Sequence, residues 1–277
     1  KNSNIRLMKT IHCIYYIILT VVFFLITSCK DKYSPIYLVS VADHAQITDG
    51  YLELNSFSTG DKYLIRGGNG NYLIKNENET VVDYRYDGDT LTLLPVSIGK
   101  AHAVIADRSG NSYSLSISVN NPEDIYVVDS LSSEVEGDDL TKGEEAELKA
   151  RIFEDSPVQP GGRFQFTYTD ASLAYGDVKL YPGITGNYTI GLFERTLKYT
   201  EDTGEPYQQI KAEMAGSTRL QYTFMLIENQ TPSSSDTTSH KEENTTVSLI
   251  KEEVTAQYSG EFRGLTRAYR VYHLTKQ

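Results

Sequence analysis

The chain predicts an all-β protein of two domains, and three observations carry that expectation. Tyr113, Leu115, Ile117 and Val119 alternate with Ser112, Ser114, Ser116 and Ser118, a period of two that places apolar side chains on one face and hydroxyls on the other. Phe164, Phe166 and Tyr168 alternate with Gln165, Thr167 and Thr169, and Leu220, Tyr222, Phe224 and Leu226 repeat the pattern. Turn residues punctuate these segments, as Asp87-Gly88 does between 81–86 and 90–94. Short strands at such spacing predict a sandwich over residues 37–120, and a second sandwich or a small barrel over 125–277.

At the N-terminal end, Arg6 and Lys9 precede an apolar run over 14–26 that only Thr20 interrupts. The run has the length of a secretory h-region and falls short of the ~20 residues of a spanning helix; Met8 is the expected start. Leu25-Ile26-Thr27-Ser28-Cys29, which closes the run, resembles the lipobox of bacterial lipoprotein signal peptides. That resemblance implies a signal peptide over 1–28, a diacylglycerol on the Cys29 thiol and acylation of its freed amine, with 29–36 as a lipid-anchored tether. One acyl chain anchors only marginally, whereas two or three retain a protein stably. The membrane is therefore an expected partner through Cys29, and the expected location is the cell envelope, at the outer membrane. Lys30-Asp31-Lys32 leaves the membrane face open.

In the first domain, Ala101, Ala103 and Ile105 share a strand face ahead of the turn Asp107-Arg108-Ser109-Gly110-Asn111. Gly67-Gly68-Asn69-Gly70-Asn71-Tyr72, Asp87-Gly88-Asp89-Thr90-Leu91-Thr92, and then Gly99, Ala101, Asp107 and Gly110 follow a strand and turn rhythm. It resembles that of bacterial immunoglobulin-like domains, with Pro95 and Ser97 where the loop commonly reads smaller. The resemblance implies an immunoglobulin-like sandwich that serves as spacer, stalk or adhesion module.

Asn120-Asn121-Pro122-Glu123-Asp124 reads as the domain boundary. Eight carboxylates follow between Asp129 and Glu147 with Lys142 the only base, and the stretch reads as a solvated acidic loop. Neither Glu136-Gly137-Asp138-Asp139 nor Asp83, Asp87 and Asp89 has the alternate spacing and closing Glu of a calcium loop. Residues 146–152 alternate apolar with charged side chains and read as a strand despite good helix formers. A last strand is expected over 265–274, with mixed side chains on both faces. Residues 231–246 are rich in Ser and Thr and read as a loop. Within it Asp236-Thr237-Thr238 resembles the Asp-Ser/Thr sequon of general protein O-glycosylation in some Gram-negative anaerobes, which makes Thr237 a candidate. Asp129-Ser130-Leu131 and Asp89-Thr90-Leu91 match the same pattern, the latter inside an expected strand.

Residues 1–28 hold three basic and no acidic residues, so their removal moves the formal charge from −11 to −14. Such a chain lacks the clustered Lys and Arg that bind a phosphate backbone, and nucleic acid is not an expected partner. Cys13 and Cys29 both precede the folded part, which therefore rests on apolar cores rather than disulfides. His12, His44, His102, His240 and His273 are too scattered for zinc-ligand spacing, and neither a Gly-x-Ser-x-Gly elbow nor a phosphate loop occurs. No cofactor or catalytic set is implied. Glu194, Glu213 and Glu261 are the acids near aromatic strands that a glycosidase-like pair would draw on. The leading expectation is a non-catalytic, lipid-anchored envelope protein with a binding, adhesion or assembly role and a protein or glycan ligand. The alternatives are a glycan-binding accessory lipoprotein of a nutrient-uptake system, since 21 tyrosines can offer stacking faces although Trp is absent, or a hydrolase with an unrecognised site.

Overall fold

The computed structural model describes residues 34–216, 221–228 and 247–277. They divide into two compact, all-β units, with the break between Asn120 and Asn121. The first unit runs through β1 (Tyr37–Ser40), β2 (Gln46–Ile47), β3 (Tyr51–Asn55), β4 (Asp61–Arg66), β5 (Tyr72–Asn76), β6 (Val82–Asp87), β7 (Thr90–Pro95), β8 (Gly99–Asp107) and β9 (Ser112–Asn120). Two sheets result, ordered β2-β1-β4-β7-β6 and β3-β9-β8-β5, with β3 parallel to β9. The period of two in β9 buries Leu115, Ile117 and Val119, which join Ile105 of β8 and, from the other sheet, Leu38, Ile65, Leu91 and Leu93 in one core. The first unit is thus a β-sandwich.

Its glycine-rich loop is fixed by one carboxylate. Asp107 accepts hydrogen bonds from the backbone N–H of Asn69 at 3.0 Å, Ser109 at 2.8 Å and Asn111 at 3.0 Å, and from Asn111 Nδ2 at 2.9 Å. Burial pushes this carboxyl up, but the donors outweigh it and hold it below the usual carboxylate range. Gly68 lies at φ +59° with Asp107 Oδ2 only 2.7 Å from where a Cβ would stand, so glycine is what lets the loop close on the aspartate.

The second unit comprises β10 (Glu123–Gly137), α1 (Lys142–Glu154), β11 (Arg163–Tyr168), β12 (Tyr175–Tyr181), β13 (Thr189–Tyr199), β14 (Pro206–Met214), β15 (Gln221–Glu228), β16 (Val247–Glu253), α2 (Thr255–Tyr258) and β17 (Leu265–Lys276). Its strands pair antiparallel in sequence order, and the meander closes where β17 returns to β10, with Tyr126 opposite Lys276. Of the two architectures left open by the sequence, the second unit is the barrel. Phe164 of β11 meets Tyr272 of β17 at 5.0 Å and Phe224 of β15 at 5.5 Å, and Phe166 meets Phe193 of β13 at 5.1 Å. These edge-to-face contacts join non-neighbouring strands, so aromatic rings fill the barrel axis.

Two local readings of the sequence are corrected. Residues 146–152 lie in α1, not in a strand. Thr141 caps the helix through a reciprocal capping box with Glu144, and Leu148 and Ile152, one turn apart, are buried while Ala146 and Ala150 are exposed. The alternation was coincidence; the spacing of four decides which residues the core takes. Nor is 129–147 a solvated loop, because Asp129, Glu134 and Glu136 belong to β10, and Glu144, Glu145 and Glu147 to α1. Leu148 and Ile152 pack with Val254, Tyr258, Phe262 and Ala268, which seats α1 against the strand ends at one side of the barrel.

Candidate functional site

Following the inward-facing row of each barrel strand away from α1 leads from apolar to charged side chains. On β17 the row is Tyr272, Leu274, Lys276; on β13 it is Gly191, Phe193, Arg195; on β10 it is Val128, Tyr126, Asp124; on β15 it is Phe224, Leu226, Glu228. The last members converge with Tyr168 of β11 into one network. Asp124 accepts from Lys276 Nζ at 2.8 Å and from Arg195 Nη1 at 3.2 Å, and also from the Tyr168 hydroxyl, which in turn accepts from Arg195. Glu228 accepts from Tyr126 Oη at 2.7 Å and from Lys276 Nζ at 3.2 Å.

The electrostatics of this mouth follow from its partners. Burial raises the Asp124 carboxyl, but hydrogen bonds from Lys276 and Tyr168 and the charges of Lys276 and Arg195 outweigh it, so the group sits below the usual carboxylate range. Burial would lower the Lys276 amine, yet Asp124 and Glu228 hold it above its ordinary value. Burial, then the hydrogen bond to Asp124, pushes the Tyr168 hydroxyl up; burial, then Glu228, does the same to Tyr126. The mouth is an ionic lock across β10, β11, β13, β15 and β17.

The second gathering of side chains is on the outer wall. β14 pairs with β15 only from Gln208 onward, so the β13–β14 hairpin runs past the barrel rim. Tyr199 has the inward parity of Phe193 yet is 62% exposed, because no core remains beneath it. An open cleft of about 1090 Å³ is lined by Tyr199, Thr200, Glu201 and Asp202 of the hairpin and by Thr223, Met225, Glu253, Arg267 and Tyr269. A neighbouring depression of about 550 Å³ is lined by Tyr175, Leu192, Glu194, Lys211 and Glu213 and shares Gln221 and Thr223 with the cleft. Tyr175 and Leu192 are 53% and 65% exposed.

The acids singled out from sequence are thus divided. Glu194 and Glu213 line the smaller depression beside Lys211, which stands opposite Glu194 in the β13–β14 register. Glu261 is instead paired with Arg151 of α1, where the guanidinium holds its carboxyl below the usual range. Cys29, Thr237 and the whole of 231–246 lie outside the described residues, as does His240; Ser130 is in β10 and Thr90 in β7. Among the described residues no group of three or more His, Cys, Asp or Glu is placed to hold a metal ion, and no helix is long and apolar enough to cross a membrane. The ionic network was missed because its members are far apart in sequence; its signal was a charge at Asp124, Arg195, Glu228 and Lys276 on the inward parity of largely apolar alternating rows.

No protein-family model matches the chain, and no curated protein matches it. A Bacteroides ovatus structure described as a structural genomics protein of unknown function is similar at 10% identity with a TM-score of 0.37. A second from the same organism, described as a multidomain protein including DUF1735, is similar at 9% identity with a TM-score of 0.36. Each comparison covers 87% of this chain and 94% of the other.

Proposed function

We propose that this chain is a lipid-anchored protein of the cell envelope whose barrel is a non-catalytic binding module, with the sandwich as the spacer that carries it. The observation that supports this reading most is where the barrel puts its aromatic side chains. Rings fill the axis, while Tyr175, Leu192 and Tyr199 are turned to solvent around two adjoining depressions on the outer wall. Exposed aromatic and aliphatic side chains rimmed by polar ones are the composition of an interaction surface. In this reading Cys29 carries the lipid, the outer membrane is its location, and Thr237 is the position open to an O-glycan in the native host.

Metabolic labelling with a fatty-acid analogue tests the anchor. The wild type incorporates label and sediments with membranes, whereas Cys29→Ala does neither; equal labelling of the two removes the lipid anchor from the proposal. Intact-mass measurement of the same native protein tests Thr237, since a mass of polypeptide plus lipid alone excludes the glycan.

A further inference from the structure

We propose that the outer-wall cleft between the β13–β14 hairpin tip and β15–β17 binds a neutral oligosaccharide chain. The inference rests on the reading of the barrel as a binding module and gives that module a ligand class. Three features of the cleft carry it. Tyr199, Tyr207 and Tyr269 all line it, and Tyr199, beyond the rim, is free to present a ring face. A tyrosine ring offers an apolar face to the C–H side of a sugar and a hydroxyl at its edge, at low conformational cost. The Arg267 guanidinium lies 6.0 Å from the Tyr269 ring centroid, a contact that helps hold this second tyrosine in place.

The polar lining is mixed in sign. Lys198 and Arg267 line it together with Glu201, Asp202 and Glu253, so the cleft is not strongly of one sign, while its amides, hydroxyls and carboxylates suit many sugar hydroxyls. A fatty acyl chain would leave those polar groups without partners, an unfavourable exchange for their water. The volume of about 1090 Å³ is ample for a short oligosaccharide. The adjoining depression at Tyr175 and Leu192, reached through Gln221 and Thr223, continues the path for a longer chain.

Native gels of the full chain cast with starch, xylan, barley β-glucan or yeast mannan test the proposal, with polygalacturonate as the acidic comparison. At least one neutral polymer retards the protein, and polygalacturonate does not. Tyr199→Ala and Tyr269→Ala each weaken retardation about tenfold or more. Tyr199→Phe, which keeps the ring, retains most of it, and Tyr51→Ala in the first unit leaves it unchanged. Circular dichroism of each variant separates loss of the ring from loss of the fold. Retardation by none of the four neutral polymers, retardation by polygalacturonate as strong as theirs, or retardation insensitive to both alanine variants overturns the proposal. Any of these with Cys29-dependent membrane retention intact removes the glycan cleft and leaves the envelope-anchored reading standing.

Discussion

Arg270 and Glu252 stand 2.7 Å apart inside the barrel with 1% and 0% of their side chains exposed. The arginine also donates Nε–H to the carbonyl of Ile152 at 2.9 Å, which ties the interior pair to the last turns of α1. A buried pair of this kind repays little of its desolvation, but removing one member strands the other charge. Arg270→Met is therefore expected to lower stability by about 3–5 kcal/mol in urea unfolding, and Arg270→Met with Glu252→Leu to recover much of that loss. A double variant no more stable than the single one would show that the pair is not acting as a charge pair. Asp124 makes a different prediction. Its carboxyl is held below the ordinary range, so the stability it contributes is present above the unfolded Asp value near pH ~4 and disappears as pH falls through the lower folded value. Asp124→Asn should cost about 1–3 kcal/mol at neutral pH and flatten the acid limb of the stability profile, the two proteins converging at low pH. Parallel acid limbs would mean that Asp124 is not the titrating member of the mouth.

Helix α1 shows what a sequence pattern decides and what it leaves open. Over 146–152 the apolar residues fall at every second position, yet only Leu148 and Ile152 are buried, and those two are also one helical turn apart. Nothing inside the segment separates the two readings; the decisive signal lies outside it, in Thr141 and Glu144. Thr141 Oγ1 accepts from the Glu144 backbone N–H at 3.2 Å, and Glu144 Oε2 accepts from the Thr141 N–H at 2.9 Å. Thr141→Ala is expected to destabilise the barrel unit by about 1 kcal/mol, and Thr141→Ser to restore most of it, both read from the thermal midpoint. An alanine variant as stable as the wild type would mean that packing alone fixes α1. Strand β17 was opaque for a related reason. Its inward row contains Arg270, which reads as a solvent-facing residue until Glu252, eighteen residues earlier in sequence, is seen across the register. The first-unit hairpins were legible because their signal is local: Asp87-Gly88 turns the chain so that Asp87 pairs with Thr90.

Closure of the barrel is a property of the whole second unit and has no local signature. Strands β11 to β16 alternate alike in a sandwich and in a barrel, and only the seam of β17 against β10 distinguishes them. The same seam brings Lys276 to Asp124, so the mouth network could not be read before the closure was known. The sandwich core, by contrast, is complete within its own unit: every residue of that cluster lies between Ile36 and Val119. The aromatic core of the barrel lies likewise between Tyr126 and Tyr272. A unit with its own apolar core is expected to fold on its own. A fragment of residues 34–120 should therefore give β-type circular dichroism and one cooperative thermal transition, and a fragment of 121–277 a second. The transition of each fragment should recur in the full chain. An unfolded 34–120 fragment, measured at a concentration where the full chain is soluble, would mean that the sandwich needs residues beyond Asn120 to form.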